Sequence, residues 1–216
     1  MSEVVGEMLP GKPIAVLSGP TFATEVARDL PTAVTLACDD ETMAKVLMET
    51  LSARYFRIYR SRDIIGSQIG GAVKNVLAIA CGIVEGRKLG DNTRAALVTR
   101  GLAEISRLGI AKGAQAETLA GLSGMGDLTL TCNAIQSRNF SLGVALGSGQ
   151  RLEDILSERN SVAEGVFTAS SVTNLARRLN VDLPICSAVD GVLNHGANID
   201  ATINGLLARP LKAETA

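Results

Sequence analysis

The chain has 216 residues, 46% of them hydrophobic and 20% charged, with a formal net charge of −1 and 3% aromatics. That length supports one or two domains whose core needs no disulfide or metal staple, and the apolar fraction excludes a disordered chain. The 21 basic and 22 acidic residues nearly cancel, so no overall field draws nucleic acid or an anionic membrane, and without Trp no aromatic platform stacks bases.

The opening segment, MSEVVGEMLPGKP, reads as turn-rich. It lacks a basic region followed by an apolar run, so it is not a signal peptide. Residues 13–17 read as a short strand ending at Ser18-Gly19-Pro20, residues 21–28 as a helix and residues 32–38 as a second strand. Asp39 or Asp40 can cap a helix through residue 51, where Met43, Val46, Leu47 and Leu51 fall at helical spacing. Residues 55–59 alternate and read as a third strand. This is α/β grammar, with too few strands for a doubly wound sheet, so it reads as the end of one.

From Asp63 onward helical periods dominate. Helices are predicted near residues 63–85, 93–108, 116–122, 138–146, 152–158, 163–179, 184–193 and 199–208, with Gly- or Asn-rich joints between them. The chain is therefore expected to divide near residue 61. Residues 1–61 read as the remnant of a dinucleotide-binding α/β domain, and residues 62–216 as an all-α domain. No G-x-G-x-x-G follows a strand, and Gly121-Leu-Ser-Gly124-Met-Gly126 has the spacing reversed, so a complete dinucleotide-binding domain is not expected in this chain. The apolar runs are broken by Gly, Lys or Asn before the ~18 residues that a membrane span needs.

Lys74 is the most informative residue. Its segment, IIGSQIGGAVKNVLAIACGIV, is apolar nearly all round, which marks a buried helix, and a lysine there is costly unless paired or neutralised. Counting three and four either way gives it Gly70, Gly71, Leu77 and Ala78 as neighbours, with Ser67 and Cys81 a turn further out. Two helical glycines cost about 1 kcal/mol each relative to Ala, which is explained if another backbone or a cofactor approaches there. The functional reading is a general acid/base of lowered pKa; the alternative is a lysine snorkelling from a less buried helix.

The block GLSGMGDLTLTCNAIQSRN holds a glycine-rich tight loop followed by Asp127, which either partners an ammonium such as Lys74 or caps a helix. Ser137-Arg138-Asn139 opens the next helix. It reads either as a phosphate or carboxylate site, built from free N–H groups and a guanidinium fork, or as an ordinary capped surface helix. The Ser18-to-Ala23 turn lies at the carboxyl end of a strand, where α/β sheets bind ligands. Cys38, Cys81, Cys132 and Cys186 show no C-x-x-C pairing, and three of them read as small buried hydrophobes. The single His195 furnishes neither a His-rich metal site nor a Ser-His-Asp triad and is expected to be structural or exposed. No metal site is expected. Arg177-Arg178 and Glu153-Asp154 read as solvated faces.

In order, the motifs GPTFA, GGAVKNVLAIACGI, NTRAALVTRGLAEISRLG, GLSGMGDLTLTC, QSRN and VAEG resemble the bacterial NAD(P)-dependent glycerol-3-phosphate dehydrogenase family, over residues 13–207. The resemblance implies a helical domain like the C-terminal domain of 6-phosphogluconate dehydrogenase. It also implies interconversion of sn-glycerol 3-phosphate and dihydroxyacetone phosphate with NAD or NADP, for glycerophospholipid synthesis, in a homodimer, while the signal-peptide and membrane-span readings above lead to the expectation of a cytoplasmic protein. By the same resemblance Lys74 is the catalytic lysine and Asp127 the aspartate beside it. Gly19, Thr21, Ser137, Arg138 and Asn139 bind substrate with Lys74 and Asp127, and Asn75 and Thr131 are their neighbours. Ala23, Arg138, Val162 and Glu164 are cofactor-side positions. In the family a Rossmann half carrying the glycine fingerprint and a second substrate lysine precedes GPTFA and binds most of the cofactor. Little or no dehydrogenase activity is therefore expected of this chain by itself. A non-catalytic helical interaction module and a related β-hydroxyacid or ketopantoate-type reductase are the competing readings; the Ser-Arg-Asn site and GDLTLTC favour a phosphate substrate.

Overall fold

The computed structural model describes residues 1–158, 163–211 and 213–214. It opens with α1 (Ser2–Met8), where the sequence reads as turns. Tertiary contacts hold this short helix. Ser2 N–H donates to Gln68 Oε1 at 2.9 Å, Gln68 Nε2 donates back to Ser2 Oγ at 2.8 Å, and Lys112 pairs with Glu3 at 3.2 Å. A seven-residue helix gains little from propensity alone, so no local signal announces it.

Then come β1 (Ala15–Ser18), the short α2 (Ala23–Val26), β2 (Thr32–Cys38), α3 (Glu41–Leu51) and β3 (Phe56–Ser61). β1 runs antiparallel to β2, and β2 parallel to β3. A parallel pair needs a crossover, and α3 supplies it. Asp40 starts that helix by accepting the Met43 N–H at 2.8 Å, satisfying one of the free amides of the first turn. Val34, Leu36 and Ile58 are closed over by Leu47 and Met48 of α3, giving the sheet a small core of its own.

The other described elements are helical, where the periodicity predicts helices except for the π turn and α7: α4 (Ile64–Gly86), α5 (Asp91–Lys112), α6 (Ala116–Ala120), a π-helical turn (Leu122–Gly126), α7 (Asp127–Asn133), α8 (Arg138–Gly147), α9 (Leu152–Glu158), α10 (Gly165–Arg178), α11 (Pro184–Asn194) and α12 (Ile199–Leu207). The π turn and α7 occupy a block that the sequence marks as a loop, because three glycines in six residues outweigh helical preference locally.

α4 is the axis of the molecule. Contrary to the expectation that the apolar runs fall short, it is long and apolar enough to cross a membrane by length and composition alone. Its cover is protein: side chains of α5, α7, α8, α10 and α11 pack around it in one continuous core. The contact with α8 is the closest. A Cβ at Gly82 would lie 2.1 Å from the Phe140 carbonyl oxygen, and one at Gly143 would lie 2.1 Å from that of Ile79. The two backbones therefore touch, which fixes α8 and the residues that open it against α4.

A buried carboxylate braces the far side. Glu104 of α5, 1% exposed, accepts the Ile185 N–H at 2.6 Å and the Cys186 N–H at 3.0 Å. Both are free amides of the first turn of α11, which opens with Pro184 at its first position. Burial pushes the Glu104 carboxyl above its ordinary value, and these hydrogen bonds offset part of the rise.

Candidate active site

Lys74 lies in the middle of α4, and its Nζ donates to Asp127 Oδ2 in a direct ion pair. The lysine side chain is 19% exposed and that of the aspartate 3%. The amine is thus paired, which offsets the cost of placing a lysine on so apolar a helix. Asp127 is the first residue of α7 and makes no side-chain cap, so its carboxylate is committed to Lys74. The other oxygen, Oδ1, accepts from Thr131 Oγ1 at 3.3 Å, and the same hydroxyl donates to the Asp127 carbonyl at 2.6 Å. Burial pushes the Asp127 carboxyl above its usual range, against the opposing charge of Lys74 and the hydrogen bonds from Lys74 and Thr131.

Gly70 explains how the aspartate reaches the lysine. A Cβ there would lie 2.2 Å from the Ser123 carbonyl oxygen. The backbone of the π turn thus rests directly on α4 one turn before Lys74 and delivers Asp127 to it. What approaches this glycine is a second backbone, the first of the two possibilities its cost raises. The Ser67 and Ser123 hydroxyls, 3.4 Å apart, close the same seam.

The loop after β1 meets this seam. Gly19 has φ +147°, and Thr21 Oγ1 donates to its carbonyl at 3.3 Å. Cβ positions built at Gly71 and Gly126 would contact Ser18 Oγ at 3.3 Å and Pro20 at 3.5 Å. Gly71 precedes Lys74 by three residues, and Gly126 adjoins Asp127. Gly19 and Thr21 therefore stand on the loop that borders the ion pair, and Ala23 opens α2 just beyond.

A second group gathers at the residue after Lys74. Asn75 Nδ2 donates to Glu164 Oε2 at 3.3 Å, and Glu164 Oε1 pairs with Arg138 at 3.6 Å. Ser137 caps α8 by accepting the Phe140 N–H at 3.2 Å, and Asn139 Oδ1 accepts the Gly165 N–H at 2.9 Å. The N-termini of α8 and α10 are thereby tied together beside α4. Two helix N-termini and a guanidinium make a setting that favours anions. Val162, the remaining expected position, lies outside the described residues. The Asn75–Glu164 and Asn139–Gly165 contacts join residues 89 and 26 apart and have no local sequence signal.

His195 belongs to a different cluster. His195 is 69% exposed, with Nε2 3.5 Å from Asp190 Oδ2. Asp190 also accepts from Ser170 at 3.2 Å, Thr173 at 2.9 Å and Asn194 at 2.8 Å. Here the carboxylate stands between serine and histidine, so the hydroxyl has no base and the cluster is not a triad. Its burial raises the Asp190 carboxyl, but the three hydrogen bonds and His195 together hold it below its usual value. The four cysteines are free and buried, and no three metal-ligating side chains cluster among the described residues.

Comparison with known proteins agrees with this architecture. The profile of the NAD-dependent glycerol-3-phosphate dehydrogenase C-terminus matches residues 63–204, and that of the corresponding N-terminus matches residues 1–44. The glycerol-3-phosphate dehydrogenase [NAD(P)+] of Rhodospirillum rubrum is 61% identical over 214 residues, covering 99% of this chain and 61% of that protein. Its counterpart from Parvibaculum lavamentivorans is 57% identical over 215 residues, with 100% and 65% covered. Among solved structures, glycerol-3-phosphate dehydrogenase from Coxiella burnetii superposes with a TM-score of 0.93 at 44% identity, covering 96% of this chain and 64% of that one. The chain belongs to the NAD-dependent glycerol-3-phosphate dehydrogenase family. It spans about three fifths of the length of the curated relatives it matches.

Proposed function

We propose that this chain is the substrate-binding and proton-transferring part of an NAD(P)-linked oxidoreductase that interconverts sn-glycerol 3-phosphate and dihydroxyacetone phosphate. On this reading residues 1–61 are the end of the dinucleotide-binding domain and residues 62–216 the catalytic helical domain, working in the cytoplasm as a homodimer and feeding glycerophospholipid synthesis. The observation that carries the reading is the Lys74–Asp127 pair on a buried helix, with Arg138 and two helix N-termini gathered at the adjoining residue.

In the direction of oxidation, Lys74 accepts the proton of the substrate's C2 hydroxyl; in reduction it returns a proton to the carbonyl oxygen. Asp127 keeps the amine in place, and Thr131 keeps Asp127 in place. Arg138, with Ser137 and Asn139, takes the phosphate, and the Gly19–Thr21 loop encloses the other end. Fixing both ends against Lys74 is worth up to about 7–11 kcal/mol of the barrier in favourable cases. The chemistry that a nicotinamide would supply here, when bound, is transfer of the hydride at C2. The part of NAD or NADP that these residues would hold fits what is present. Arg138 and Glu164 offer donors and an acceptor with side chains 57% and 66% exposed, and Ala23 is exposed and too small to obstruct.

The reading is tested by NADH or NADPH oxidation with dihydroxyacetone phosphate in the intact protein. Lys74→Ala is expected to lower kcat by about 10²–10⁴-fold while leaving binding of glycerol 3-phosphate measurable by calorimetry. Turnover by the alanine variant near that of the parent overturns the assignment.

A further inference from the structure

The carboxylate of Glu164 is shared between two partners. Oε2 accepts from Asn75 at 3.3 Å, and Oε1 lies 3.6 Å from the Arg138 guanidinium. Glu164 immediately precedes α10 and Arg138 is the first residue of α8. A negative charge belonging to the protein thus already sits at the place where the two helix N-termini and the guanidinium favour an anion.

The two attachments are unequal. Asn75 belongs to the core helix and is 8% exposed, whereas the Arg138 contact joins two largely exposed side chains and is longer than a hydrogen bond. Exposed pairs of this kind are weak. A phosphate meeting a guanidinium makes shorter, paired, charge-assisted hydrogen bonds, so it displaces the carboxylate from Arg138 while Asn75 retains it.

We propose that Glu164 is an affinity-setting residue, an internal counter-ion that competes with the ligand's phosphate for Arg138 and, once displaced, is held aside by Asn75. This inference rests on the anion-site reading above and deepens it. The phosphate is common to substrate and product and takes no part in the bond changes at C2. Gripping it harder binds both forms equally and adds nothing to the chemical step. A counter-ion at Arg138 loosens that grip and so favours release.

The test is calorimetric titration of the intact protein, without cofactor, using glycerol 3-phosphate, inorganic phosphate and glycerol. Glu164→Gln keeps an acceptor for Asn75 and removes only the charge; being exposed, the site tolerates the change, and an unaltered melting temperature checks it. The variant is expected to bind both phosphates about two- to five-fold more tightly and to bind glycerol unchanged. That gain disappears in an Arg138→Gln background and shrinks at high salt. Equal or weaker phosphate binding by Glu164→Gln overturns this inference and leaves the anion site standing. Failure of both proteins to bind either phosphate overturns the anion site and the inference together.

Discussion

Lys74 and Asp127 are 53 positions apart in sequence, yet the amine holds one oxygen of the carboxylate while Thr131 holds the other. One oxygen is paired with the amine and the other lies beside a hydroxyl that donates more closely to the Asp127 carbonyl, so the carboxylate faces Lys74.

Asp127→Asn is expected to lower kcat by about 10²–10³-fold, because the amide keeps a contact with Thr131 but gives Lys74 no counter-charge. Since burial raises the Asp127 carboxyl above its ordinary value, protonation breaks the pair at a pH above the usual aspartate range. Activity of the parent protein should therefore fall on the acid side within that raised window, and the asparagine variant should lose this limb. A pH profile of kcat for the two proteins checks both statements.

Glu104→Ala removes both acceptors from the first turn of α11 and leaves the amides of Ile185 and Cys186 unpaired in the core. The expected loss is about 2–4 kcal/mol in urea unfolding, with Glu104→Gln in between because one acceptor remains. The pH dependence has a definite sign. The folded carboxyl has a pKa raised above that of the unfolded chain, so the folded state binds the proton more readily. Stability should decline as pH rises from the ordinary glutamate value through the raised one, and Glu104→Gln should flatten that slope.

The α4–α8 seam leaves no space for a methyl group. Gly143→Ala would place Cβ 2.1 Å from the Ile79 carbonyl oxygen, a backbone atom that cannot swing aside. The helices must separate, and the expected loss is about 2–4 kcal/mol, at the upper end of what overpacking costs. Gly149→Ala is the control on the same stretch: nothing lies within 4 Å, but φ is +96°, so its smaller penalty is conformational alone. Melting temperatures of the two variants separate contact from strain.

How much of this could be read in advance depended on the range of the interaction. The strand over Thr32–Cys38, the capped α3 and the long α4 were legible because apolar spacing and Asp40 act within one or two turns. The cost of Gly70 and Gly71 signalled a close approach, but only the fold showed that the visitor at Gly70 is the Ser123 backbone. α1 and α7 were not legible. The first is held by Gln68 and Lys112, and the second is anchored through Asp127 to Lys74, both across the chain. Lys74, Asp127, the Ser137–Asn139 run and the turn after the first strand are legible from the residues themselves, whereas Asn75, Thr131, Val162 and Glu164 come by resemblance alone. Their division into a Lys74–Asp127–Thr131 group and an Asn75–Glu164–Arg138 group is a property of the packing, and no spacing along the sequence contains it.

The two groups should separate kinetically. Arg138→Ala removes the guanidinium from the anion-favouring end but leaves the Lys74–Asp127 pair intact, so it should act on binding of the phosphate more than on proton transfer. The expected result is a rise in KM for dihydroxyacetone phosphate of about ten- to hundred-fold, the worth of one or two charge-assisted hydrogen bonds, with a smaller fall in kcat. Ser137→Ala is the comparison: it loses the cap on α8, costs about 1 kcal/mol of stability, and gives up its own contact with the phosphate but keeps the guanidinium, so its KM should rise less than that of Arg138→Ala. If Arg138→Ala instead lowers kcat with KM unchanged, the guanidinium acts on the reacting centre, and the phosphate must be held elsewhere.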